Sequence, residues 1–132
     1  MIKEIKMMIE QLISFDTAKL AKEKGLNENG IVWLFYEENG RVFNNLEDTG
    51  DQDYICCTQE FLKKWLRENY DIHVNPVPYN ETADRSNEVT GYYVGEIFTT
   101  DGKMIHPGDD NYSTYEEALE RGLQIGLNHI KV

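Results

Sequence analysis

Cysteine is scarce: the chain holds two, Cys56 and Cys57, side by side. Adjacent cysteines seldom bond to each other, because the eight-membered ring strains the peptide between them. A disulfide framework is thereby disfavoured, and free thiols without a secretion signal fit a reducing compartment. The start, MIKEIKMMIEQLI, is apolar enough to suggest a leader, but Glu4, Lys6 and Glu10 interrupt it. No small-residue cleavage site follows. The expected location is the cytoplasm. No run of 18 apolar residues exists, so no membrane-spanning helix is expected.

Positive charge is also in short supply. Thirteen Lys and Arg face 24 Asp and Glu, a net charge of −11. Residues 25–60 carry −7 of it and residues 71–112 carry −6. A surface of this sign repels phosphate, so neither direct nucleic-acid binding nor an anionic membrane is expected as a partner. Nucleophile and cofactor motifs are absent as well: there is no G-x-S-x-G, Walker loop, H-E-x-x-H or EF-hand pattern. The expectation is a protein without cofactor, metal or catalytic residue, more a binder than an enzyme.

What is present is the patterning of one folded unit. The 132 residues are 40% hydrophobic and 11% aromatic, enough for a core without a metal or disulfide staple. Ile2, Ile5, Ile9 and Leu12 recur at spacings of three and four, predicting an amphipathic helix over 2–13. Asp16 is placed to cap a second helix over 16–24, with Phe15 and Leu20 as its staple and Gly25 as its stop. Ile31–Tyr36 reads as a strand covered on both faces, and Asn39-Gly40 as a two-residue hairpin turn. Thr58 caps a helix over 59–69 with Phe61, Leu62, Trp65 and Leu66 inward. Residues 71–79 alternate like a strand, which Pro76 and Pro78 confine to an edge or cut short.

Gly91–Thr99 is the second strong strand, with Asp101-Gly102 turning into Lys103–His106. Ser113 or Thr114 opens the last helix, and Gly122 and Gly126 lie one turn apart on its apolar face. Two interior glycines cost about 1 kcal/mol each relative to Ala, which a close packing partner would offset. The resulting fold class is α+β: an antiparallel sheet built from hairpins, helices packed on one face, and a closing C-terminal helix. Residues 1–13 form an N-terminal amphipathic helical arm and 14–132 a single α+β domain.

Each group with chemical potential has a simpler structural account. Cys57 precedes the Thr58 cap, where a helix N-terminus lowers a thiol pKa, yet it also suits a small hydrophobic contact with Leu62. His73, His106 and His129 come from different elements and share no ligand spacing. Tyr92 and Tyr93 resemble a stacking platform but lack basic neighbours. Glu47, Asp48, Asp51 and Asp53, with Asp109 and Asp110, form acidic clusters that offer ligands for calcium or magnesium, against the simpler accounts of solvated loops or an interaction surface. The stripe Ile2, Ile5, Ile9 and Leu12 is the candidate for self-association into a homodimer.

Three segments carry a resemblance: SFDTAKLAKEKG at 14–25, TQEFLKKWLRENYDIHV at 58–74 and TYEEALERGLQIGL at 114–127. In this order they resemble a family of short uncharacterised proteins of gut Bacteroidetes, their phages and integrated elements. The resemblance spans residues 14–130. Its motifs are helix caps and core stripes, which speak to kinship and carry no chemistry. It implies a phage- or mobile-element-linked accessory protein of a bacterial cytoplasm. The leading expectation is a non-catalytic binding or accessory protein with a protein partner, acting through its acidic surface. The alternatives are a phosphate-mimicking inhibitor of a host nucleic-acid enzyme, and a small enzyme or metal protein in which His73 or His106 meets a carboxylate.

Overall fold

The computed structural model describes residues 12–27, 34–44, 53–80, 89–108 and 111–131. The first helix, α1, spans Phe15–Glu23. Three strands follow: β1 (Leu34–Tyr36), β2 (Val42–Asn44) and β3 (Tyr54–Ile55). Helix α2 spans Gln59–Tyr70. Then come β4 (Val77–Tyr79), β5 (Gly91–Tyr93), β6 (Ile97–Phe98), β7 (Met104–His106) and β8 (Asn111–Tyr112). Helix α3, Tyr115–His129, closes the described chain.

The fold is α+β, with antiparallel sheets and helices packed against them. The strands form three small antiparallel sheets, in the orders β2-β1-β3, β4-β5-β8 and β6-β7. Strand β1 is central to the first. Its successive residues Phe35 and Tyr36 point to opposite faces and both are buried, as a strand covered on both sides requires. Residues 31–33 of that apolar run lie outside the described residues, as do residues 1–11 of the N-terminal stripe.

Leu12 and Ile13, which the periodicity assigns to a helix, are extended. Leu12 bridges Thr58, and the Ile13 N–H donates to the Cys57 carbonyl at 3.0 Å. Full burial of Ile13 fixes this geometry. The cap of α1 is Ser14 and not Asp16: the Ser14 hydroxyl accepts from the Thr17 N–H, and Asp16 becomes the acid of the first turn. Phe15 is thus inside the helix rather than before it, and its ring packs against Tyr36 and Tyr54. Thr58 caps α2 through the Phe61 N–H, and Thr114 rather than Ser113 caps α3 through the Glu117 N–H.

Both hairpin turns are one residue longer than their dipeptides suggest. Glu37 N–H donates to Arg41 O, and Thr99 N–H to Lys103 O, leaving three-residue loops. Gly40 (φ 87°) and Gly102 (φ 91°) take the left-handed position of each loop. In each, the preceding side chain accepts from the N–H two residues on: Asn39 from Arg41, and Asp101 from Lys103. That local bond selects the longer loop.

The 71–79 run pairs regularly only over β4, where Pro78 opposes Tyr92 on an edge strand. The run 91–99 is split in two by Gly95 (φ 83°), whose ideal Cβ would lie 2.0 Å from the Asn75 carbonyl oxygen. Backbone against backbone at that crossing leaves room for glycine alone and bends the chain. Strands β3 and β8 have no expectation behind them. Each is two residues long and exists by pairing with β1 or β5.

Helix α3 contacts α1, α2, β5, β7 and β8. Leu119, Leu123 and Leu127 are fully buried, each contributing about 1.5–3 kcal/mol of apolar burial. Gly122 and Gly126 face the segment between α2 and β4. An added Cβ would lie 2.6 Å from Val74 Cγ1 at Gly122, and 3.1 Å from Ile72 Cγ2 at Gly126. The close partner is therefore an irregular segment of the same chain. Gly122→Ala gains about 1 kcal/mol of helix propensity but overpacks against a buried β-branched side chain, which costs about 1–3 kcal/mol. Urea denaturation should show Gly122→Ala less stable than the parent and Gly126→Ala less affected. A more stable Gly122→Ala would refute the close packing.

Candidate functional site

A groove of about 570 Å³ runs beside the first half of α3, lined by Leu12, Ser14, Tyr36, Gln59, Tyr112 and the α3 residues Glu116, Glu117, Glu120, Arg121 and Gln124, among others. The starts of two helices and a strand bring these groups to the wall of α3. Ser14 opens α1, Gln59 is the first residue of α2, and β1 delivers Tyr36.

Glu120 is the hub. Its Oε2 accepts from the Ser14 N–H at 3.0 Å, the Ser14 hydroxyl at 2.9 Å and the Thr17 hydroxyl. Its Oε1 accepts from Gln59 Nε2 at 2.9 Å, and the same amide donates to the Glu116 carbonyl. Gln124 Nε2 in turn donates to the Thr17 hydroxyl at 3.0 Å. Thr17 is fully buried and Gln59 nearly so. Three donors meet Oε2 and one meets Oε1, so both oxygens tie Glu120 to the starts of α1 and α2. Such a group holds structure together. It also places negative charge at the N-terminal ends of α1 and α2, where the helix dipoles favour it.

Behind the groove lie the thiols. Cys56 and Cys57 are both fully buried, and Cys57 shares the core cluster with Leu62. Burial, with Cys56 and then Glu120 adding to it, pushes the Cys57 thiol up to about 12. Cys56 is raised chiefly by burial, partly offset by its contact with the Tyr36 hydroxyl. Burial likewise raises the Tyr36 phenol, which donates to the Ile13 carbonyl at 2.6 Å. These thiols are neutral and enclosed, the opposite of an activated nucleophile. The N-terminus of α2 does not lower Cys57, because desolvation outweighs it.

The remaining candidates fall elsewhere. His73 Nε2 lies 2.9 Å from Asp71 Oδ1, and its ring stacks on Phe98 at 5.5 Å. Asp71 is the left-handed residue that ends α2, and it also accepts from the Thr100 N–H and hydroxyl. Those bonds from Thr100 and His73 lower the Asp71 pKa. The pair joins α2 to the β6–β7 hairpin and lines no groove described above. His106 sits half-buried on β7 and His129 at the end of α3. Among the described residues, no group of three or more His, Cys, Asp or Glu is placed to hold a metal ion. Tyr93 packs on Tyr79 at 4.4 Å and Tyr92 edge-on to Tyr115 at 5.8 Å, so both rings serve packing.

Of the acidic clusters, Asp53 is half-buried, and its carbonyl accepts from Lys22 Nζ at 3.1 Å. Glu47, Asp48, Asp51, Asp109 and Asp110 lie outside the described residues, as do Ile2, Ile5 and Ile9. Leu12 packs against the core. Sequence alone misses the hub. Ser14 and Gln59 are visible as cap-region polar residues, but nothing local pairs them with Glu120, 106 residues from Ser14.

Comparison with protein-family models, with curated proteins and with solved structures finds no match. Among the described residues, no helix is long and apolar enough to cross a membrane.

Removing the hub leaves buried donors unmet. Glu120→Ala should destabilise the fold by about 2–4 kcal/mol in urea denaturation, and Glu120→Gln by less. A loss below about 0.5 kcal/mol for Glu120→Ala would place the anchoring elsewhere. Alkaline pH offers a second check. Cys56, Cys57, Tyr36 and Tyr115 all have folded pKa values above the ordinary 9.0 or 10.0, with Tyr115 near 12 from burial and Glu60. A raised acid stabilises fully below its unfolded pKa, and that contribution is lost as pH climbs toward the folded value. The urea midpoint should hold to about pH 8 and then fall steadily toward pH 11, less steeply in Cys57→Ala. A level midpoint through pH 11 would contradict the burial of these groups.

Proposed function

We propose that this protein is a non-catalytic binding protein whose groove beside α3 accepts a basic segment of a protein partner. The observation that carries the proposal is the exposed pair Glu116 and Glu117 on the groove wall, next to the satisfied carboxylate of Glu120 and opposed by Arg121 alone among the lining cations. The acid excess of the whole chain adds long-range attraction for a basic partner and speeds its approach. Tyr112 brings half-buried ring surface to the same wall, suited to the long apolar stems of Lys and Arg, whose charged heads then meet Glu116 and Glu117. The resemblance carried by residues 14–25, 58–74 and 114–127 supports an accessory protein linked to a phage or integrated element, at work in a bacterial cytoplasm.

The test is quantitative capture from bacterial lysate, washed at low and high salt. The parent is compared with Glu116→Gln/Glu117→Gln and with a control, Glu37→Gln/Glu38→Gln, on the β1–β2 hairpin. Glutamine keeps the side-chain oxygen that receives the Thr114 hydroxyl, so α3 keeps its cap. A groove partner should be salt-sensitive, retained by the control and bound about tenfold more weakly by the groove variant. Equal retention of the same proteins by all three would defeat the proposal.

A further inference from the structure

The described part of this acidic chain contains seven lysines, and five of them have a partner for their ammonium group. Lys19 sits over the Phe15 ring, and Lys22 over the Tyr54 ring. Lys24 donates to the Ile130 carbonyl at 2.7 Å. Lys63 and Lys64 approach Glu60 and Glu68. The other two are Lys103 and Lys131. Among the described residues, neither ammonium lies within 4.0 Å of a carboxylate. Both line one recess of about 350 Å³ at the far end of α3 from the acidic groove.

His129 adds a third titratable nitrogen-bearing side chain to that recess. Its other walls are Tyr70, Ile72, Thr99 and Ile130, a mostly apolar lining. Ile72 and Ile130 are core residues, at 2% and 5% exposure, so this part of the wall is rigid. The Tyr70 hydroxyl donates to the Lys24 carbonyl, and Lys24 in turn clamps Ile130. The recess is therefore braced by α1, α2 and the end of α3 before any ligand arrives.

The helix dipole favours a basic residue in the last turn of α3, which accounts for His129; Lys131 lies beyond the Ile130 cap. The dipole does not account for Lys103, which comes from the β6–β7 hairpin. The carboxylates near that hairpin take their hydrogen bonds elsewhere, and Asp101 feels the Lys103 charge only as a minor attraction beside them. Asp71 accepts from Thr100 and His73, and Asp101 from Thr99 and the Lys103 N–H. Two lysines from separate elements thus line one apolar-walled recess, and among the described residues neither forms an ion pair there.

We infer that this recess binds a small organic anion, a carboxylate or phosphate group on a short apolar body. The headgroup meets Lys103, Lys131 and His129, and the body lies against Ile72, Ile130 and the Tyr70 ring. The volume falls at the small end of ligand sites. This inference is independent of the groove and survives its failure.

The probes are benzoate and phenyl phosphate, with benzyl alcohol as the neutral counterpart, titrated into the full chain by NMR. Methyl shifts of Ile72 and Ile130 and ring shifts of His129 should saturate with at least one anion. They should weaken with salt and stay small with benzyl alcohol. Lys103→Gln/Lys131→Gln should lower the affinity at least tenfold, with an unchanged thermal midpoint because both side chains are exposed. Lys64→Gln should change nothing. The inference is overturned if neither anion gives saturable shifts, if benzyl alcohol binds as well as they do, or if the double variant binds as tightly as the parent.

Discussion

The approach of α3 to the Ile72–Val74 segment is the constraint on which the described fold depends. At Gly122 and Gly126 the helix axis comes near enough that side chains of the segment occupy the space of two Cβ atoms. Nothing larger than glycine permits that separation without displacing Val74 or Ile72. Leu119, Leu123 and Leu127 then reach the interior from the same helix. The helix tolerates two poor helix formers because they admit a contact that a regular alanine face would hold away.

Glu120 completes what the glycines begin. The glycine contacts set how near α3 lies to the segment after α2, while the carboxylate ties its first half to the starts of α1 and α2. A buried or half-buried charge costs free energy unless every acceptor site is met. Here the donors come from two other helices, so satisfying the charge also positions those helices. The polar hub and the enclosed thiols beside it form one packed region. Hydrogen bonds hold the carboxylate there, and desolvation holds the thiols in their neutral form.

Features set by neighbours in sequence were legible. The cap at Thr58, a cap at Ser113 or Thr114 that falls on Thr114, the edge position of the Pro78 strand and the buried face of α3 follow from local patterns. Errors arose where a distant partner decided the outcome. Ser14 and Asp16 are both good caps by type; the bond from Ser14 to Glu120 accompanies the choice of Ser14. The run from Gly91 to Thr99 reads as one strand until the Asn75 backbone crosses at Gly95. Two-residue strands such as β3 and β8 have too few side chains to show a period. The groove and the recess share this difficulty, because each gathers residues separated by dozens of positions.

The last described helix is also the last of these elements to be synthesised. Until α3 exists, Ile13, Leu66, Ile72 and Val74 have lost the element that buries them, and Ser14 and Gln59 have no carboxylate to meet. A chain extending from the ribosome therefore presents these residues before the helix that packs on them is made. Its contacts span a hundred residues, and such closure is slow to nucleate. By elementary electrostatics, like negative charges on two such incomplete chains oppose their contact until the fifteen-residue α3 is in place.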